Sequence, residues 1–357
     1  MISQKTLMTI LSMVALIMQV AAGAADEAPP SHAAMVRSAL EKHVLPHIES
    51  LKAETAALPD VVGNVCRTGS PAARNELAHH FRDAAVAFAG ADFLRFGPML
   101  EGGLRERISF WPDPRGFLGR QLRLVLLSKD ESLFKPGALG KQSAAVQGLN
   151  ALEALIEDKD VPLGPSEASA YRCGLAKAIA VNVASVSAEV ADKWMKPGGW
   201  KDKMLHPGPE NDTYKSSEES AVEIVKSLLV GLSLTADLQL KPQIDSKVKL
   251  TPPFQKSGLQ KVYFLATIAS LRDLYDALDL ESYLKPDKLW MKNWLSGAWR
   301  TIQSSDGAGG RAPGAARPDA PPVREAFDKL NGMRNLISNQ LSTAAGLTVG
   351  FNELDGD

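Results

Sequence analysis

Apolar residues recur at three- and four-residue spacing through most of this chain, a period that suits α-helices and little else. Alanine and leucine dominate and β-branched runs are few, so strand propensity offers no competition. The spacing predicts helices over 33–58, 71–97, 116–128, 141–158, 166–195, 217–238, 257–278, 286–304 and 320–345, and hence an all-α fold. Three of these have clear starts: Ser70-Pro71, Gly164-Pro165-Ser166-Glu167 and Ser216-Ser217-Glu218-Glu219. There a hydroxyl can cap free N–H groups, and acids suit the positive helix end.

Two stretches interrupt the period. Met195 to Ser216 contains Pro197-Gly198-Gly199 and Pro207-Gly208-Pro209, and Ser304 to Pro322 is rich in Gly, Ala and Pro. The first is the better domain boundary, giving helical-bundle lobes over 31–205 and 215–357. The second lies between two strongly periodic helices and reads as an exposed insertion, 304–322, in the C-terminal lobe. In the last third, Leu259, Val262, Leu265, Ile268, Leu271, Tyr275 and Leu278 trace one helix face, and Val323, Phe327, Leu330, Ile337 and Leu341 trace another. Such stripes are bundle core. Trp290, Trp294 and Trp299 read as core or groove aromatics.

The N-terminus has the layout of a secretory signal peptide over 1–25: Lys5, an apolar run from Leu7 to Val20, then small residues with cleavage expected near Ala24 or Ala25. The apolar run is shorter than the roughly 20 residues of a membrane-spanning helix. Export places the two cysteines, Cys66 and Cys173, in an oxidising compartment, where a disulfide between them is expected; a pair of buried thiols is the alternative. Lysine plus arginine (40) balances aspartate plus glutamate (41). That removes the basic surplus of a nucleic-acid binder, so no nucleic-acid partner is expected and function must be sought in local sites.

Several polar residues fall where a core belongs. At 100° per residue, Asp92 sits between Phe88 and Phe96 on the apolar stripe of the helix predicted over 71–97. A buried carboxylate must be paired, hydrogen-bonded or metal-bound, and Arg95 is the nearest candidate partner. Asn150 and Glu153 share one side of the helix predicted over 141–158, Glu153 bordering the arc of Leu149, Leu152 and Ile156. His43 and His47 stand four apart in the first helix, with Glu54 on the same side. Two such histidines can grip one metal ion, while histidines beside a core can equally be packing residues. Phosphate-cradling glycine loops, nucleophilic triads and paired-cysteine zinc motifs are not evident in the sequence.

Four pieces in order, Arg95-Phe96-Gly97-Pro98, Phe110-Trp111-Pro112-Asp113, Gly148 to Glu153, and Gly350 to Asp357, resemble the imelysin family of insulin-cleaving membrane protease-like and iron-regulated protein A-like proteins. The resemblance implies two helical lobes related by an old duplication, with a pocket near their interface and a place in a bacterial periplasm. It also implies two activities: metallopeptidase, or a binding or accessory role in iron uptake. The family's GxHxxE motif falls on Gly148 to Glu153, where Asn150 stands at the histidine position, and an acidic family position falls on Asp92. A ligand or metal pocket of Asp92, Arg95, Asn150 and Glu153 is therefore expected, with His43 and His47 as substitute metal ligands alongside Glu153, for iron, zinc or calcium. Asparagine is a weak neutral donor where a zinc hydrolase needs about three good ligands, which disfavours the peptidase reading. The expected partners are a metal ion or small ligand and other cell-envelope proteins; an interaction protein with a decayed pocket is a third reading.

Overall fold

A computed structural model of the chain describes residues 29–305 and 321–349. The signal-peptide segment 1–25, most of the insertion 304–322 and the motif Gly350 to Asp357 lie outside the described residues. Among the described residues there is no β-strand, as the three- and four-residue period predicts.

The first helix is continuous but not uniform. α1 (His32–Ala39) passes through a π-helical turn, Leu40–Val44, into α2 (Leu45–Ala56). Pro46 has no N–H to donate, and the wider turn just before it absorbs the missing bond. A similar π turn, Thr235–Leu240, precedes Pro242. The three- and four-residue period predicts a first helix ending at 58 and no element in the next stretch; the structure forms α3 there (Leu58–Thr68), closed by Gly69 in a left-handed conformation. α4 (Pro71–Ala91) starts where Ser70 Oγ accepts from the Ala73 N–H at 3.2 Å. It stops at Ala91, not at 97, because the chain turns at Asp92 to place Arg95 and Phe96.

The remaining elements are α5 (Leu104–Ile108), α6 (Phe117–Ser128), α7 (Leu149–Ile156), α8 (Ala170–Met195), α9 (Trp200–Leu205), α10 (Ser217–Leu234), α11 (Lys241–Ile244), α12 (Gln260–Leu278), α13 (Trp290–Ser304), α14 (Pro321–Leu336) and α15 (Ser342–Ala344). The start predicted at Ser166 lies one short turn early, since Glu167–Ser169 forms a 3-10 turn before α8. At α10 the hydroxyl and acid act together: Ser216 Oγ accepts from the Glu219 N–H while Glu219 accepts from the Lys215 N–H.

α2 and α3 each pack on both α4 and α8, and Cys66 on α3 is joined to Cys173 on α8 by a disulfide with a Cα–Cα separation of 5.7 Å. By length and composition α8 is apolar enough to cross a membrane, but 56% of that apolar window is buried inside the protein, as for a core helix. The two halves of the sequence meet closely: α12 packs on α4, and α10 on α1. From His32 onward the contacts form one compact unit. The physical reason is a shared core, since Leu40 and Phe88 from the first half and Leu228 and Leu271 from the second belong to one buried cluster. Of the three tryptophans, Trp299 is fully buried, Trp294 packs against that core and Trp290 is exposed.

Candidate functional site

Asp92 caps the C-terminus of α4, where the helix dipole is negative and a carboxylate is disfavoured. Its compensation comes from further along the chain than the sequence suggested. Arg105, on α5, donates Nε–H to Asp92 Oδ1 at 2.7 Å, and Tyr263, on α12, donates its phenol to Oδ2 at 3.0 Å; all three side chains are buried. Arg95, the partner read from spacing, stands 3.6 Å from Oδ1 and turns its Nε–H to the Asp92 carbonyl at 2.9 Å. Its main role is thus to satisfy a carbonyl at the helix end. Arg105 also donates to the Trp111 carbonyl at 3.0 Å and lies 5.8 Å over the Phe88 ring. Burial alone would push the Asp92 carboxyl up; the charges of Arg105 and Arg95 and the hydrogen bonds from Arg105 and Tyr263 outweigh it and hold the group below the usual carboxylate range.

The motif helix α7 is docked by the same short segment. Gly148 precedes it because a Cβ there would lie 2.5 Å from the Ile108 carbonyl oxygen, so only glycine permits this approach. One residue beyond, Ser109 donates its hydroxyl to Asn150 Oδ1 at 2.7 Å, in a buried contact. Glu153 is also buried, and its Oε1 accepts both the Ser257 N–H at 2.9 Å and the Ser257 hydroxyl at 2.7 Å. Burial pushes its carboxyl above the usual range, against the opposing effects of Ser257 and Lys256.

A pattern links these contacts. Arg105 reaches Asp92, Arg107 reaches Gln147 at 3.0 Å, Ser109 reaches Asn150, and the Trp111 indole N–H reaches the Thr251 carbonyl at 2.8 Å. Every second residue of 105–111 fastens a different part of the fold. Three ties cross between the sequence halves, Asp92–Tyr263, Glu153–Ser257 and Trp111–Thr251, and the last is made by this segment itself. Asp92 and Arg95 form one cluster, while Asn150 and Glu153 on α7 have separate partners, Ser109 and Ser257; no hydrogen bond or ion pair among the described residues runs directly from Asp92 or Arg95 to Asn150 or Glu153. Arg105, Ser109, Ser257 and Tyr263 escaped sequence reading. Only the arginine carried a signal, as a charge close to a motif tryptophan.

The histidines lie apart from the motif. His43 is fully buried, its ring 4.3 Å from that of His47 and 5.5 Å from that of Phe93, and neither of its nitrogens has a formed hydrogen bond. Burial first, and His47 second, hold it well below the ordinary imidazole value; the backbone of Gly90, short of a formed bond, opposes them with a smaller effect. His43, His47 and Glu153 do not come together as a ligand set. Among the described residues no three His, Cys, Asp or Glu side chains are grouped to hold a metal ion.

Among the described residues, therefore, the motif side chains do not form a resident transition-metal site. Asp92 is engaged on both oxygens, Asn150 Oδ1 receives a hydroxyl, and a catalytic zinc needs about three ligands with an open position. What the arrangement does chemically is to bind elements together through buried carboxylates.

Fold and site thus define an all-helical protein whose motif carboxylates fasten the first half of the chain to the second. The chain belongs to the imelysin family, whose family model matches residues 44–288. Among solved structures it is similar to an imelysin-like protein from Psychrobacter arcticum 273-4, at 19% identity and a TM-score of 0.73, covering 91% of this chain and 99% of that one. It is also similar to a protein assigned as an iron-regulated protein A precursor from Parabacteroides distasonis ATCC 8503, at 12% identity and a TM-score of 0.69, covering 91% and 96%. At these identities the likeness is one of fold. No curated protein matches the chain.

Proposed function

We propose that this chain is an exported imelysin of the bacterial periplasm that serves iron or other metal uptake as a binding or accessory protein, without peptidase activity. The observation that carries this reading is the state of the motif. Asn150 stands in the family's histidine position and accepts a hydrogen bond from Ser109, and among the described residues no His, Cys, Asp or Glu groups with Glu153 to complete a ligand set. The uptake role is supported by membership of the imelysin family and by the name of its iron-regulated protein A-like neighbour. The metal is cargo in this reading, not a resident cofactor.

The test is thermal unfolding of the mature protein, purified without a metal-affinity tag, in ferrous, ferric, zinc, copper and calcium salts and in ferric citrate. Wild type is compared with Glu153→Ala. A ligand that binds only the folded state raises the melting temperature, by about 2.7 kcal/mol of stabilisation at 100 times its Kd. A rise of several degrees with at least one iron source is expected, and it is kept in Glu153→Ala because that carboxylate is already engaged by Ser257. No shift with any iron source removes the uptake reading.

A further inference from the structure

A cavity of about 550 Å³ opens between α8 and the segment 133–139, away from the motif carboxylates. Its floor is apolar. Phe134, Ala178 and Val186 line it, and Phe134 lies so close over Gly174 that a Cβ there would meet the ring at 2.5 Å. The glycine is what lets the ring lie flat on α8.

Charge at the rim is one-sided. Arg107, Lys135 and Lys177 face the cavity, and its one carboxylate, Glu189, lies 3.8 Å from Lys193 outside it. Among the described residues none of these three cations forms an ion pair. Arg107 is held in place all the same. Its Nε–H is donated to Gln147 Oε1, while the Gln147 side-chain amide donates to the Gln142 carbonyl at 2.6 Å and Asn182 donates to the Gln147 carbonyl at 3.1 Å. Gln147 and Asn182 are buried, so the guanidinium is fixed by a rigid polar base. An arginine oriented through Nε, without a carboxylate, at the edge of an apolar cavity of small-ligand size, is built to receive an oxyanion through its remaining N–H groups.

We infer that this cavity is a binding site for a small amphipathic organic anion, with its apolar body against Phe134 and Ala178 and its carboxylate or sulfonate on Arg107. Lys135 and Lys177 add attraction from the exposed rim. The site is distinct from the motif carboxylates and does not depend on the metal-uptake reading. Gln147 is shared with the docking of α7, since it directly precedes Gly148.

The test uses the full mature chain with its disulfide intact and 8-anilinonaphthalene-1-sulfonate as fluorescent probe, displaced by decanoate or by the uncharged decanol. Saturable binding is expected, with decanoate displacing the probe at least about tenfold better than decanol, the difference one charge-assisted pair supplies. Arg107→Gln should raise the probe Kd by about tenfold or more. Ala178→Trp, which fills the cavity, should abolish decanoate-sensitive binding. Lys135→Gln/Lys177→Gln changes only exposed side chains, keeps the fold intact and should weaken binding several-fold, which guards against a folding defect in the other variants. Absence of saturable binding, equal displacement by decanol, or an unchanged Kd in the double-lysine variant or in Ala178→Trp would overturn the assignment.

Discussion

Tyr263 donates its phenol to Oδ2 of Asp92 at 3.0 Å, joining residues 171 positions apart in one buried contact. Arg105 occupies the other oxygen of the same carboxylate. This three-residue knot is where the first motif acid of the chain meets its second half.

Removing one member of the knot should cost far more than a surface pair. Asp92→Asn leaves the buried Arg105 guanidinium uncompensated, and about 3–5 kcal/mol of stability should be lost in urea unfolding at pH 7. Tyr263→Phe should cost about 1 kcal/mol, one hydrogen bond. The Asp92 contribution is complete above its unfolded pKa of about 3.9 and fades as pH falls through the depressed folded value. A loss below about 1 kcal/mol in Asp92→Asn would mean that the knot is not a stabilising device.

Glu153 behaves in the opposite sense. Its raised carboxyl binds more protons in the folded state than in the unfolded one, so the cost of ionising it grows as pH rises from about 4.3 through the folded value. Glu153→Gln keeps an oxygen for Ser257 and removes the charge. It should match wild type near pH 4 and be as stable or up to about 1 kcal/mol more stable at pH 7, whereas Glu153→Ala should lose about 1–3 kcal/mol. Parallel pH profiles for wild type and Glu153→Gln would contradict the burial argument.

His43 is a separate acid-sensitive point. An imidazole held below its ordinary value binds fewer protons folded than unfolded. Its neutral burial is therefore without penalty above about pH 6.5, and stability falls as pH drops below that. His43→Leu should flatten the stability profile between about pH 5 and 7 and raise stability at pH 5 by about 1 kcal/mol or more. Chemical denaturation across this range gives the answer; an unaltered slope would place the acid sensitivity elsewhere.

The Cys66–Cys173 bridge spans 107 residues. Chain-entropy reasoning assigns a loop of that size up to about 4–5 kcal/mol. Reduction, or Cys66→Ala/Cys173→Ala, should lower the urea midpoint accordingly while leaving the helical spectrum native below the transition. An unchanged midpoint would show that packing of α3 on α8 suffices.

Period and caps made most helices legible, and the bridge was readable because the chain has only two cysteines to pair. The end of α4 was not: Asp92 continues the apolar stripe in projection, and its partner Arg105 lies thirteen residues on in a helix of five residues that carries no periodic signal. Tyr263 lies beside the stripe of Val262 and Leu265, and nothing in its spacing marks it as a partner of Asp92. Ser257 and Ser109 are ordinary polar residues until the fold brings them to Glu153 and Asn150. Helices on either side of 195–216 pack face to face, and the Pro and Gly punctuation there reports a break in the chain rather than the contacts across it.

The most direct test of a motif turned from ligand set to fastening is peptide hydrolysis measured together with metal content. Wild-type protein incubated with zinc or ferrous ion and an unstructured peptide should show no chelator-sensitive cleavage and retain no stoichiometric metal after gel filtration. Asn150→His, which restores the family residue, is the informative companion. Cleavage by the wild type that a chelator stops and Glu153→Gln abolishes would contradict the account.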